Sequence, residues 1–231
     1  MRCIVVGASM PMPSFELNYE DTYLFKLKSY FKSVEFIDRC RRASSVRRLV
    51  SEGINSSGYD LLEMYNPDFV ILNLGATDAS PRLLPREALY TRIINTMPFA
   101  KGIYNIVRRV KGRTISCNDV SPEKFYSCLS KYVERAKNHN VIVYCVKIAY
   151  FGSKVLKKNP LANKSFDLYN KLYDKLAYEY DNVRLVTPLQ FTDFIEYDKK
   201  LQSDYIHLTA DASTEVFENI KAAILKDFDF N

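Results

Sequence analysis

Histidine is nearly absent. The chain has 2 in 231 residues, and none of its 5 cysteines are spaced as Cys-x-x-Cys. A protein metal centre needs several such ligands brought together, so neither a metal nor another cofactor is expected. No apolar run approaches the ~20 residues needed to cross a bilayer. The short apolar start, Cys3 to Val6, lacks the length and the small-residue cleavage site of a signal peptide. A cytoplasmic protein with no membrane span is expected. The cysteines (Cys3, Cys40, Cys117, Cys128, Cys145) are odd in number, scattered, and mostly in segments that read as core, which favours reduced packing residues over bridges. The chain also lacks internal repeats, low-complexity tracts, linkers, any recognised nucleic-acid motif and an extended basic stripe. It therefore reads as one domain over residues 1–231, and nucleic acid is not expected as a partner.

At this length a single domain buries roughly 70% of the surface its unfolded form exposes. Hydrophobic residues at 47% and charged residues at 26% describe a globular protein. The net charge of +6 is unevenly spread: "DRCRRASSVRR" carries Arg39, Arg41, Arg42, Arg47 and Arg48. A solvated surface explains such a cluster, and so does a site for an anionic group, because arginine forks match phosphate and carboxylate geometry.

Short β-rich runs alternate with longer segments of helical period, the pattern of a parallel sheet covered on both faces. Five strands are expected at Cys3–Val6, Val34–Ile37, Phe69–Leu74, Val141–Ile148 and Val183–Val186. Ser121 and Pro122 read as the cap and first residue of a helix, with Phe125, Cys128, Leu129, Tyr132, Val133 and Ala136 on one face. Leu168, Tyr169, Leu172, Tyr173, Leu176 and Tyr180 repeat that spacing, and Val216, Ile220 and Ile224 line a final helix. The segment from Ala79 to Val120 is longer than an ordinary connection, with helical periodicity from Leu89 to Val110 broken at Pro98 and Gly102.

Ligands of open parallel sheets bind beyond the carboxyl ends of the strands. That rule selects Ser9 after strand one, the arginine cluster after strand two, and "GATDASPR" after strand three. A serine becomes nucleophilic when a base, usually a carboxylate-oriented histidine, takes its proton. His139 sits in "KNHN" at a helix end, whereas His207, in "SDYIHLTADAS", follows the fifth strand with Asp204 three residues before it. Taken singly, Ser9 also reads as a turn residue, Thr77 and Asp78 as helix caps, and Asp204 as surface.

Taken together, Gly-x-Ser after the first strand, "GATD" after the third and Asp-x-x-His near the C-terminus resemble the SGNH (GDSL-like) hydrolase family in order and spacing. The resemblance implies a flavodoxin-like α/β/α sandwich and a serine esterase working through an acyl-enzyme. It implies Ser9 as nucleophile, His207 as general base and acid, and Asp204 as the residue orienting it. The oxyanion donors would come from Ser9, Ala43 and Thr77. Substrate contacts are expected from Arg41, Arg42, Gly75, Asp78 and Arg82, and sugar stacking from Tyr150 and Phe151. Two positions depart from the family pattern. Ala8 stands where an aspartate is usual, and Thr77 replaces an asparagine whose amide serves the oxyanion. Losing one oxyanion donor typically costs ~10²–10³ in rate, so a slow or selective enzyme is expected. The leading substrate is a small acyl ester, acetyl above all, of a carbohydrate or related alcohol, and the arginines suggest an anionic group on its other part. Acyl transfer to a sugar hydroxyl, or a non-catalytic glycan- or anion-binding module, are the alternatives. A histidine base must be neutral, so activity is expected to fall as pH drops through ~6–7.

Overall fold

A computed structural model describes residues 1–50, 58–84, 89–111 and 117–230. Five parallel strands form one sheet: β1 (Arg2–Gly7), β2 (Glu35–Asp38), β3 (Phe69–Asn73), β4 (Ile142–Val146) and β5 (Val183–Val186), in the order β2-β1-β3-β4-β5. Every expected strand is present, within one to two residues at each end. The register pairs Cys3 with Phe36 on one side and with Phe69 on the other. The chain thus leaves β1 in both directions, which opens a crevice at the carboxyl ends beside it.

Alternation along the strands divides the core in two. Ile4, Val6, Val70, Leu72, Val143 and Cys145 face one layer of helices, while Cys3, Val5, Phe69, Ile71, Tyr144 and Val146 face the other. The first layer is built by α5 (Pro122–Asn138) and α7 (Ala162–Glu179), the second by α1 (Tyr23–Tyr30), α8 (Phe194–Lys199) and α9 (Ala210–Asp227). Each stripe of fully buried side chains contributes roughly 1.5–3 kcal/mol per large residue. The Ser121 hydroxyl accepts from Lys124 N with Pro122 at the first position, and Thr209 caps α9 in the same way.

Two readings of the sequence are corrected. In α7 the buried face is Phe166, Tyr169, Tyr173 and Leu176, and Leu168 faces solvent. The run of aromatics and leucines is dense enough to fit two helical phases, and packing selects the one that includes Phe166. In the long excursion Pro98 does separate two helices, α3 (Leu89–Thr96) and α4 (Ala100–Lys111), but Gly102 lies within α4. Glycine in a helix costs ~1 kcal/mol relative to alanine without ending it. The remaining short helices are α2 (Ala76–Ala79) and α6 (Ser153–Leu156). All five cysteines are free, with Cys3, Cys128 and Cys145 buried.

Candidate active site

Three loops leave the sheet at its carboxyl rim beside β1, and two glycines set their paths. After β1, a Cβ on Gly7 would come within 2.6 Å of Pro11 Cγ and 3.0 Å of Cys40 Sγ, so the chain turns closely over the start of the β2 loop. After β3, Gly75 takes φ 101°, and a Cβ there would meet Ile148 Cδ1 at 2.8 Å. Gly75 is buried and serves this turn and its packing. Its expected role in touching substrate is corrected accordingly.

Ser9 follows β1 in a turn closed by Met12 N donating to Ser9 O at 3.1 Å. Its Oγ lies 3.0 Å from His207 Nε2. His207 Nδ1 lies 2.6 Å from Asp204 Oδ2. The other carboxylate oxygen, Oδ1, accepts the backbone N–H groups of Ile206 at 2.9 Å and His207 at 3.0 Å. Burial alone would raise the Asp204 pKa, but these hydrogen bonds from the imidazole and the backbone outweigh it and hold the carboxyl below its ordinary value. An ionised Asp204 accepts from Nδ1–H, which leaves Nε2 with a lone pair directed at the Ser9 hydroxyl. Residues 198 positions apart are thereby joined in one hydrogen-bonded line. His139, by contrast, caps α5 just before β4, at the opposite rim.

The loop carrying Asp204 and His207 is tied to the loop after Ser9. Gln202 Nε2 donates to Leu208 O at 2.5 Å, and Ser14 Oγ donates to Gln202 Oε1 at 2.7 Å. Ser203 N donates to Glu16 Oε2 at 3.1 Å, and the Ser203 hydroxyl also donates to Glu16. Sequence reading missed Ser14, Glu16 and Gln202, because nothing local marks polar residues whose partners are nearly 190 positions away.

Ala43, in the loop after β2, has φ 54°, the left-handed conformation that favours glycine. The resemblance implies an oxyanion donor at this position. Among the described residues the Ser9 N–H and the Thr77 hydroxyl have no hydrogen-bond partner, and Thr77 is partly exposed in the first turn of α2. Both are available to a ligand oxygen.

Asp78 was expected at the substrate and is fully buried instead. Its Oδ1 accepts the Ser45 hydroxyl at 2.5 Å and its Oδ2 accepts Val46 N–H at 3.0 Å, so it straps the β2 loop to α2. Burial is the main cause that pushes its pKa up from 3.8 to about 6, against the lowering effect of those two hydrogen bonds. Between these values the folded protein holds a proton that the unfolded chain releases. This group's contribution to stability is therefore greatest below pH 3.8 and falls as pH rises to about 6, by roughly 3 kcal/mol. Asp78→Asn keeps an acceptor for Val46 N–H and is expected to flatten that decline in a denaturant titration series across pH 4–7. Asp78→Ala strands the Val46 N–H and is expected to lose about 2–3 kcal/mol. Equal pH dependence in wild type and Asp78→Asn would contradict the assignment.

The arginines separate into different tasks. Arg82 Nε donates to Asp119 Oδ2 at 2.7 Å, and its side chain stays 37% exposed. Arg47 donates to Asp119 O, Arg48 to Arg39 O and Ser44 Oγ, and Arg39 lies over the Tyr65 ring. Arg41 is exposed, and its backbone N–H donates to Gly7 O. Arg42 alone of this cluster lines the cavity beside His207. That cavity has a volume of about 790 Å³, and its wall includes Pro13, Phe15, Arg42, Gln202, Asp204 and His207. Arg42 Nη2 donates to Pro13 O at 2.5 Å, leaving the rest of its fork facing solvent. Phe15 is fully exposed at the mouth. Neither expected sugar platform is free. The Tyr150 hydroxyl donates to Asp167 and its ring meets Phe191 edge-on at 5.3 Å, while Phe151 packs on Phe166 at 4.8 Å.

No protein-family model matches the sequence, and no curated protein matches it. Solved structures do match. The lipase/acylhydrolase from Enterococcus faecalis superposes with a TM-score of 0.64 at 14% identity, over 100% of this chain and 99% of that one. A catalytic mutant of the acetylxylan esterase Axe2 from Geobacillus stearothermophilus gives 0.64 at 12% identity, over 96% and 93%. The psychrotrophic esterase EstA from Pseudoalteromonas gives 0.59 at 13% identity, over 97% of each chain. A putative lipolytic protein of the G-D-S-L family from Desulfitobacterium hafniense gives 0.64 at 14%. The chain has the SGNH-hydrolase fold. The likeness is one of fold at these identities, and it covers 96–100% of this chain.

Proposed function

We propose that the protein is a serine ester hydrolase that removes a small acyl group, acetyl in the first instance, from a carbohydrate or related ester by way of an acyl-enzyme on Ser9. The observation that carries this reading is the line from Ser9 Oγ through His207 to Asp204, with spacings of 3.0 and 2.6 Å. As the hydroxyl attacks the ester carbon, its proton passes to Nε2, and Asp204 stabilises the imidazolium that forms. The protonated Nε2 then gives the proton to the departing alkoxide, and the same nitrogen activates the water that releases the acid. The Ser9 N–H and Thr77 Oγ1 serve the oxyanion.

Support for a compact acyl group bound to a larger alcohol comes from the open cavity beside His207 and from the fold shared with an acetylxylan esterase. Arg42, exposed on that wall, favours an alcohol bearing a carboxylate or phosphate. The free cysteines favour a reducing compartment, hence the cytoplasm. The test is a series of p-nitrophenyl esters from acetyl to octanoyl, followed by acetylated neutral and acidic oligosaccharides assayed by acetate release. The expected result is highest kcat/KM for the acetyl ester and a preference for the acidic sugar that Arg42→Ala removes through KM. Rates that climb with chain length, or equal use of both sugars, would overturn the substrate assignment. Acylated sugar appearing in place of free acetate would assign transfer instead.

A further inference from the structure

The helices α3 and α4 contribute no described side chain to either half of the core. The buried stripes of α5, α7 and α9 join the core, whereas α3 and α4 pack mainly on each other. Not one described apolar side chain between 89 and 111 is fully buried. Leu89 is 74% exposed, Phe99 64% and Ile106 61%, with Tyr90 and Ile93 about half exposed. A helix of this kind gains little from its own packing, and an isolated helix this short is marginal in water. An exposed apolar face of this size marks an interaction surface.

Charge identifies what covers it. From 89 to 111 the sequence carries Arg92, Lys101, Arg108, Arg109 and Lys111, and no Asp or Glu. We propose that α3 and α4 form an amphipathic arm that attaches the protein to the surface of an anionic lipid bilayer. Phe99, Ile106 and Leu89 enter the acyl boundary, and the positive charge that the segment carries in its sequence favours anionic headgroups. The arm lies on the bilayer rather than through it: no helix among the described residues is long and apolar enough to cross one. A second copy of this chain is a poorer occupant, because pairing two such arms would oppose five positive charges with five more.

The base of the arm is tied by hydrogen bonds and adjoins the candidate site. Arg82 and Cys117 exchange backbone hydrogen bonds at 2.8 Å, closing the excursion, and Asn159 Nδ2 donates to Pro81 O at 2.9 Å. That base follows directly on α2, whose first turn holds Thr77. Attachment would thus turn the carboxyl rim of the sheet toward the membrane. The inference is independent of which ester is cleaved, since it rests on α3 and α4 alone.

The test is co-sedimentation of the full chain with vesicles of phosphatidylcholine alone, and of phosphatidylcholine mixed with phosphatidylglycerol. Binding is expected to the mixed vesicles, weakening as salt rises over the range that screens surface charge. The double variant Phe99→Glu, Ile106→Glu is expected to lower the partition coefficient about 10-fold or more. Both side chains are exposed, so its circular dichroism spectrum should match wild type. Failure of wild type to bind the mixed vesicles, or equal binding by the double variant, would overturn the proposal. So would a wild-type dimer that the double variant dissolves, because that would make a second copy the occupant. Loss of esterase activity would bear on the site alone and leave this result standing.

Discussion

Ser9→Ala lowers kcat for p-nitrophenyl acetate by about 10⁴-fold or more, because no other described hydroxyl lies within reach of His207 Nε2 to form the acyl-enzyme. The residual rate comes from the oxyanion donors and from binding, which persist when the nucleophile is gone. Stability should change little. The Ser9 hydroxyl is partly exposed and among the described residues it hydrogen-bonds only His207, so removing it disturbs stability by an amount typical of a surface change, within about 0.5 kcal/mol. The combination matters: a large kinetic loss with an unmoved melting curve separates chemistry from folding. Activity within 10-fold of wild type would remove Ser9 from the reaction.

Asp204→Asn is the second large effect, expected at about 10³- to 10⁴-fold in kcat. The asparagine oxygen can keep accepting the backbone N–H groups of Ile206 and His207, so the loop holds its shape. Its amide then faces Nδ1 in place of an acceptor, which favours the tautomer with a proton on Nε2, and a protonated Nε2 cannot take the serine proton. The acid limb of stability tests the same contact from another side. The Asp204 pKa is depressed in the fold, so its contribution is present above the ordinary carboxylate value and is lost as pH falls through the lower folded value. Wild type should therefore lose this contribution below the ordinary carboxylate value, and the asparagine variant should show no such step. A variant with near-normal kcat would mean that His207 is oriented by its surroundings rather than by the carboxylate.

Much of the architecture was legible because β1, β3 and β4 are buried on both faces and read as continuous apolar runs between turn signals. Ser9, Asp204 and His207 were legible for a different reason. With two histidines in the chain, placing each against the sheet left one at the carboxyl rim. What sequence could not give was the state of residues whose role depends on burial. Asp78 in "GATD" has the chemistry of a ligand contact, and only the packing of Ser45 and Val46 over it makes it a strap. The ion pair of Arg82 with Asp119, 37 positions on, likewise has no signal in the sequence. The arm at α3 and α4 was visible as a helical excursion, but its outward-facing apolar side follows from tertiary position alone. Gln202, which couples the two loops of the site, carries no local signal at all.

The measurement that bears most directly on the account is covalent labelling with a fluorophosphonate, followed by peptide mass spectrometry of the full chain. One adduct on Ser9 is predicted, formed at a rate that falls by orders of magnitude in His207→Ala and leaving the other serines unmodified. An adduct elsewhere, no adduct under conditions that label a known serine esterase, or Ser9 labelling undiminished in His207→Ala would contradict it.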